Sequence, residues 1–515
     1  ILSFEKEYRG ARTIRLEQNY RSTQNILDAA NAVIRHNEGR KGKTLWTENG
    51  DGEKVIIKTA FNESDEANYV VGQVMTDYRR GGNWKDHAVL YRMNAQSNAL
   101  EYAFKRNGVP YKIYGGMKFF DRAEIKDMLA YLCVINNPAD DLRLRRIVNV
   151  PSRKIGQATV DKAQTIATEQ ETTLYQVFRQ AADYPELKNA AGKLIAFTEL
   201  IESIRRQVEG CDLIELYDMV CDKSGYTAAL REKNDMESRG RLENVEELKS
   251  SIQGYLENVE GEPSLSGFLD EVALYTDLDS QSDSDNCVTM MTMHAAKGLE
   301  FPHVYVVGME DGLFPGNRAM GDAEEMEEER RLCYVAMTRA KETLVLTNAR
   351  QRMLFGRTAP AMPSRFLKEI PEENMEWLSK PQPRSTESNW DSVGWGDGAG
   401  DSRSSRYAGY DSYGEKYGSY SSRSAAYGTQ STMAHETSGP QKAPLRSSSD
   451  AGRRAPSGGL MQLAPGESVR HDAFGQGMVL SVRVMGNDAL IEVAFDTVGT
   501  KKLMLRAAMG HLSKG

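Results

Sequence analysis

Apolar and polar positions follow two different periods along this chain, and the changes of period divide it. Over residues 1–120, apolar runs at 13–16, 55–59, 88–91 and 111–114 have the length and side-chain content of strands. Between them, 23–36, 66–79 and 97–107 carry apolar residues three or four apart, the period of an amphipathic helix. Strands and helices alternating in this way predict a parallel sheet with covering helices. From 124 to 286 the strand-like runs stop. Leu194, Phe197, Ile201 and Ile204 form a helical stripe, and similar faces recur over 212–221, 242–257 and 265–277. Strand-like runs return at 288–292, 304–307 and 343–346. A helical block that interrupts an α/β pattern predicts an insertion into one lobe, with the acidic, Ser-rich 280–286 as return linker.

Residues 380–464 turn to Ser, Gly, Tyr and Arg. Such a segment buries too little apolar surface to offset chain entropy, so disorder is expected. Pattern returns over 465–515, where VLSVRV, ALIEVAF and KKLMLR read as short strands. Turn signals stand at Phe474-Gly475-Gln476-Gly477 and Gly486-Asn487-Asp488. A small β-barrel is expected there, with Val469, Val479, Val482, Ile491, Val493 and Phe495 in its core, as a separate module on a flexible tether. The expected division is 1–123 and 287–379 for an α/β lobe, 124–286 for the insertion, 380–464 for the linker and 465–515 for the barrel.

Composition changes this picture in three ways. The 515 residues have room for about three domains. The net charge of −8 means that any nucleic-acid path is a local basic track rather than a bulk property. Five cysteines, odd in number and without CxxC spacing, argue for a reducing cytosol and against a zinc site or disulfide frame. No apolar run reaches membrane-spanning length, so no membrane partner is expected.

Chemistry concentrates in three runs. In MEEERRLCYVAMTRAKETLVLTN (326–348), an acidic helix start leads to a Thr-Arg-Ala-Lys turn and a strand. Arg339 therefore stands where a helix gives way to a buried strand, and a cation fixed there can reach a ligand at the sheet edge. The Glu327–Glu329 stretch reads as a solvated helix face. In LEQNYRST (16–23), Tyr20 and Arg21 follow a short strand and precede a Ser-Thr helix start. An aromatic beside a cation at the carboxyl end of a parallel strand suits a nucleotide, with the base stacked and the phosphate paired. In TMHAAKGLEFP (292–302), small residues at a turn let backbone approach a ligand closely, and Glu300 is placed to accept from a ribose hydroxyl.

These runs resemble motifs IV, VI and V of the UvrD/PcrA/Rep group of superfamily 1 DNA helicases, in the usual order IV, V, VI. The resemblance covers roughly residues 1–370, and more weakly the C-terminal end. It implies a RecA-like lobe of the P-loop NTPase type with an inserted helical domain, and ATP-driven 3′-to-5′ translocation and unwinding of DNA in repair or replication, in the bacterial cytoplasm at the nucleoid. It implies that Tyr20 stacks on adenine, that Arg21 approaches the γ-phosphate, and that Glu300 holds the ribose. Arg339 resembles the motif VI arginine that meets charge developing on the γ-phosphate. Arg92, Asn94, Lys118, His294 and Lys297 are implied near single-stranded DNA. Val150-Pro151-Ser152-Arg153-Lys154-Ile155-Gly156 resembles a Gly-Ile-Gly hairpin that meets duplex phosphate, which puts Gly156 near DNA although Lys154 replaces the first glycine. Phe314-Pro315 is followed by Gly316 rather than the His of many relatives. The Phe474-Gly475-Gln476-Gly477 run resembles the turn of a Tudor-like barrel that contacts RNA polymerase in some relatives, so RNA polymerase or repair proteins are implied partners.

No G-x-x-x-x-G-K-[ST] loop occurs in the chain. Gly39-Arg40-Lys41-Gly42-Lys43-Thr44 has too short a glycine spacing and follows a helix-like run. With Ile1 at its start, the chain reads as a fragment beginning just after the first motor lobe. It is expected to be inactive alone, with the ligands for Mg²⁺ on that lobe and none here. The rival reading is a non-enzymatic DNA- or partner-binding fragment. A helicase–nuclease subunit would need a metal-binding carboxylate cluster downstream, and 380–515 shows none.

Overall fold

The computed structural model describes residues 8, 14–38, 42–259, 261–277, 285–378, 463–485 and 488–514. Seven strands form one sheet: β1 (Val55–Ala60), β2 (His87–Tyr91), β3 (Tyr111–Ile113), β4 (Val288–Thr292), β5 (Phe301–Val306), β6 (Ala340–Ala349) and β7 (Met375–Trp377). Their order is β7-β1-β6-β5-β2-β4-β3, and every pairing is parallel. Helices cover both faces, which is why β2 is buried at every position and β4 at all but its last.

On one face, α1 (Gln24–Arg35) packs Ile26 and Val33 against Val304, Val306, Leu344 and Leu346. On the other, α2 (Glu63–Arg79) and α3 (Ser97–Arg106) bring Val70, Val74 and Phe104 to Val89, Tyr91, Tyr305 and Val345. The α2 helix begins earlier than its apolar period indicates. Asn62 caps it by accepting from the Asp65 amide, and Glu63, Asp65 and Glu66 occupy its first turn, where the helix dipole favours anions. A fourth lobe helix, α4 (Ala323–Met337), adds Leu332, Cys333, Ala336 and Met337 to the α1 face.

The strand expected at 13–16 does not form over 14–16, where Ile14 and Leu16 are 73% and 77% exposed. Its only pairing nearby is an isolated bridge from Gln18 to Trp46, so the run has no neighbour to give it a ladder. The expected linker at 280–286 and the basic loop at 39–44 lie partly outside the described residues. The Ser/Gly/Tyr-rich 380–462 lies wholly outside them, and so does most of the Gly486-Asn487-Asp488 turn.

Among the described residues, 124–286 holds helices and no strand. The stripe of Leu194, Phe197, Ile201 and Ile204 is buried in helix Ala191–Arg205. Helix Ala123–Asn136 buries nine of its residues, including Tyr131 and both acidic side chains, as befits an element surrounded by other helices. Arg122 fixes the entry to this block. Its guanidinium donates to Asn244 Oδ1 (2.6 Å) in the insertion, and to Ser97 Oγ (2.9 Å) and the Asn94 carbonyl (3.3 Å) in the lobe.

The C-terminal strands form a separate antiparallel sheet: β8 (Ser468–His471), β9 (Gly475–Met485), β10 (Asp488–Phe495), β11 (Gly499–Met504) and β12 (Leu512–Lys514), in the order β11-β10-β9-β8-β12. Burial along β10 alternates strictly, with Ile491, Val493 and Phe495 inward. Gly477 is required by proximity, since a Cβ there would lie 2.7 Å from the Ala494 carbonyl oxygen. The sheet is not held apart from the lobe. Val469, Phe474, Val479 and Leu503 share one apolar cluster with Phe104 and Tyr111, and Arg106 pairs with Asp488 at 3.1 Å. Composition marks a boundary at 462 but carries no information on whether two apolar faces fit each other.

Candidate functional site

Three segments far apart in sequence meet at the amino-terminal ends of β5 and β6. Asn19 Oδ1 folds the first by accepting from the amides of Arg21 (2.8 Å) and Ser22 (2.9 Å). Ser22 Oγ then donates to the Ala340 carbonyl (2.6 Å), which seats this turn on the start of β6. Arg21 Nε donates to Glu300 Oε2 at 2.6 Å, and Nη1 to the Thr338 carbonyl at 3.1 Å. Lys341 Nζ meets the other Glu300 oxygen at 2.9 Å. Lys341 and then Arg21 hold the Glu300 carboxyl down at about 2. Lys341 was not singled out in the sequence. Its signal was its position two residues beyond Arg339, at the start of a strand, where alternate residues share a face.

Arg339 is tethered at all three guanidinium nitrogens. Nε donates to the Val335 carbonyl (2.9 Å), Nη1 to the Leu299 carbonyl (3.1 Å) and Nη2 to Thr338 Oγ1 (3.1 Å). Burial, and next the neighbouring Arg21 charge, lower its pKa, though an arginine stays charged at neutral pH. Tyr20 beside this group is 79% exposed, with its hydroxyl donating to Gln18 (2.8 Å). Three cations thus surround one carboxylate, with an exposed aromatic face next to them. Such a patch suits an anionic ligand that also carries a planar ring.

The carboxyl edge of the sheet gathers a second set. Tyr91 of β2 pairs with Thr292 of β4, so Arg92 and Asn94 emerge beside His294 and Lys297. Asn94, His294 and Lys297 are exposed. Burial, and then the Arg92 charge, lower the His294 pKa, which keeps the ring neutral at pH 7. Lys118, five residues beyond the end of β3, is half-buried, with Nζ 5.2 Å above the Tyr111 ring. Residues 293–300 run from the carboxyl end of β4 to the amino end of β5, and so connect this edge to the Glu300 cluster.

The expectation that Glu327–Glu329 is a solvated helix face fails at Glu329. That residue is 7% exposed and takes Arg92 in a fork, with Nε at 3.0 and 3.2 Å and Nη2 at 2.7 Å. It also accepts from the Gly316 amide (3.3 Å). Glu329 lies three and four residues before Leu332 and Cys333, hence on the buried face of α4. Further support comes from a buried ionic group. Arg352 bridges Glu310 (2.8 Å from Nε) and Glu66 (2.7 Å from Nη2), with the side chains 6%, 2% and 3% exposed. The two carboxylates also accept from the Gly308 amide (3.0 Å) and the Ala349 amide (2.7 Å). The loop from Gly308 to Gly316 is thereby held under Arg92.

In the insertion, Lys154 adopts φ 57°, the left-handed conformation that suits the glycine of the resembled hairpin. Arg153 is not a free contact, because it donates to Tyr131 (2.7 Å) and to the Ser224 carbonyl (3.0 Å). Gly156 is exposed at the N-cap of helix Gln157–Glu169, with open space where a Cβ would stand.

Comparison with known proteins follows the same segments. The family described as UvrD-like helicase C-terminal domain matches residues 14–351, and the PcrA/UvrD tudor domain matches 466–509. The ATP-dependent DNA helicase PcrA of Staphylococcus epidermidis (ATCC 12228) is 42% identical over 511 residues, covering 99% of this chain and 63% of its own length. The protein of the same description from Staphylococcus aureus (Mu50) is 49% identical over 379 residues, covering 73% of this chain and 52% of its own. The chain thus spans between 52% and 63% of the length of these relatives. A solved C-terminal domain of a possible DNA helicase from Lactobacillus plantarum aligns with 70% of this chain and 99% of its own at 13% identity. Its TM-score of 0.27 does not establish a shared arrangement.

Proposed function

Because the chain belongs to the UvrD-like helicase family, we propose that it supplies the second, RecA-like motor lobe of an ATP-dependent DNA helicase. The observation that carries this reading is the meeting of Arg21, Glu300, Arg339 and Lys341 from three distant segments. Tyr20 stacks on the adenine. Glu300 keeps lone pairs for a ribose hydroxyl while its two oxygens hold Arg21 and Lys341. Arg21 and Arg339 face the γ-phosphate when a phosphate-binding lobe closes on this one. Arg339 is aimed in advance by its three acceptors, so little reorganisation is needed as charge develops on the phosphate. The Mg²⁺ that accompanies ATP is assigned to ligands on the phosphate-binding lobe, as the family resemblance implies.

Single-stranded DNA runs along the edge formed by Arg92, Asn94, Lys118, His294 and Lys297, and duplex phosphate approaches Gly156 at its helix N-terminus. Residues 293–300 transmit closure at the nucleotide to this edge. The 3′-to-5′ direction and a role in repair or replication rest on the family resemblance. The C-terminal sheet closes as a Tudor-like barrel that recruits RNA polymerase or repair proteins. No helix among the described residues is long and apolar enough to cross a membrane, and the bacterial cytoplasm is the proposed compartment.

The test joins this chain to a phosphate-binding lobe and measures DNA-stimulated ATP hydrolysis. Arg339→Ala is expected to lower turnover about a thousandfold, as for other arginine fingers, with much less change in ATP affinity. Near-normal turnover would remove Arg339 from the mechanism. The second reading is binding of DNA or a partner without ATP turnover, and the observation on its side is that no G-x-x-x-x-G-K-[ST] run occurs in these 515 residues. Robust turnover by this chain alone would refute both that reading and the two-lobe requirement.

A further inference from the structure

The sheet face covered by α2 carries a group of ligating side chains that the motor reading does not use. His87 opens β2 and pairs in register with His303 of β5, and Asp77 reaches them from α2. His87 Nε2 lies 3.1 Å from Asp77 Oδ2, and His303 Nε2 lies 3.9 Å from the same oxygen. One ligand atom from each residue falls within 4.8 Å of the other two. We propose that Asp77, His87 and His303 form a binding site for a divalent transition-metal ion of the zinc class.

The chemistry of the three groups fits that ion. Ligand atoms at about 2.1 Å around tetrahedral zinc stand about 3.4 Å apart, so small side-chain shifts convert the observed spacing into a ligand set. Two imidazoles and a carboxylate leave a fourth position for water. His303 Nδ1 lies 2.8 Å from Thr343 Oγ1. With the Thr343 hydroxyl oxygen as acceptor, Nδ1 carries the ring hydrogen and Nε2 keeps its lone pair for an ion, the arrangement that outer partners give ligating histidines. An ordinary His–Asp hydrogen bond accounts for one of these contacts. It does not account for a second imidazole converging on the same oxygen with its other nitrogen already engaged. Asp77 and His303 retain 32% and 20% exposure, which provides entry for the ion. Bound metal would join the end of α2 to β2 and β5.

The test is a zinc titration of the full chain against a chromophoric chelator, with a parallel cobalt(II) spectrum. The wild type is expected to bind one ion, with the visible bands of tetrahedral cobalt and no thiolate charge-transfer band. The second condition matters because all five cysteines are free. His303→Asn keeps a donor for Thr343 and removes Nε2, and should weaken binding by about a hundredfold. Asp77→Asn should do likewise, and serves if the first variant does not fold. Zinc binding no tighter in the wild type than in both variants, or a thiolate band in the cobalt spectrum, would overturn the assignment.

Discussion

Removing the cation at the centre of the buried Arg352 group tests how the edge loop is held. In Arg352→Met the alkyl volume stays, while Glu66 and Glu310 are left together with their side chains 3% and 2% exposed. Breaking a buried ion pair by deleting one partner typically costs about 3–5 kcal/mol. Here one cation serves two carboxylates, which places the expected loss at the upper part of that range. The carboxylates keep the Gly308 and Ala349 amides as donors, and the Thr347 hydroxyl at 2.6 Å, which limits it. The assay is native-state hydrogen exchange at 308–310 and 347–350. A loss of about 4 kcal/mol corresponds to exchange about 700-fold faster. Exchange within about threefold of wild type at pH 8 would refute the argument.

Tyr20→Ala in a two-lobe enzyme should raise KM for ATP more than it lowers kcat, because stacking acts alike on ground and transition states; an unchanged KM with a collapsed kcat would contradict the stacking role. His87 and His471 are both buried and held down at about 4, against an ordinary 6.5. The unfolded chain therefore takes up these protons first, so their contribution is complete above pH 6.5 and declines as pH falls toward 4. Melting measured from pH 7.5 to 4.5 should show a shallower acid decline in His471→Gln than in wild type, and parallel curves would count against that origin. Gly108 has φ +65°, and a Cβ there would lie 2.6 Å from Leu503 Cδ2. Gly108→Ala should cost about 1–2 kcal/mol of local strain and loosen the C-terminal sheet. Earlier proteolytic release of 463–515 is the expected readout, and unchanged release would mean that the sheet is held elsewhere.

Elements whose evidence is a local period were legible in the sequence. The strands at 55–59, 88–91, 111–114, 288–292 and 343–346 and the buried stripe of Leu194, Phe197, Ile201 and Ile204 all form where the apolar pattern places them. The pattern reports burial directly in such cases, because a strand or helix must direct its apolar side chains to a core. It failed at 14–16, where apolar content met no neighbouring strand. The motif residues Arg21, Glu300 and Arg339 could be named in sequence through the three runs that resemble the family's motifs. Only the tertiary structure set them within hydrogen-bonding reach of one another, added Lys341, and turned Arg92 onto a buried Glu329. The same holds for Arg352 between Glu66 and Glu310, for the Asp77, His87 and His303 group, and for the C-terminal sheet resting on Phe104 and Tyr111. Each of these depends on pairing across strands and faces tens to hundreds of residues apart. Charge and shape complementarity at that range leaves no periodic trace in the chain.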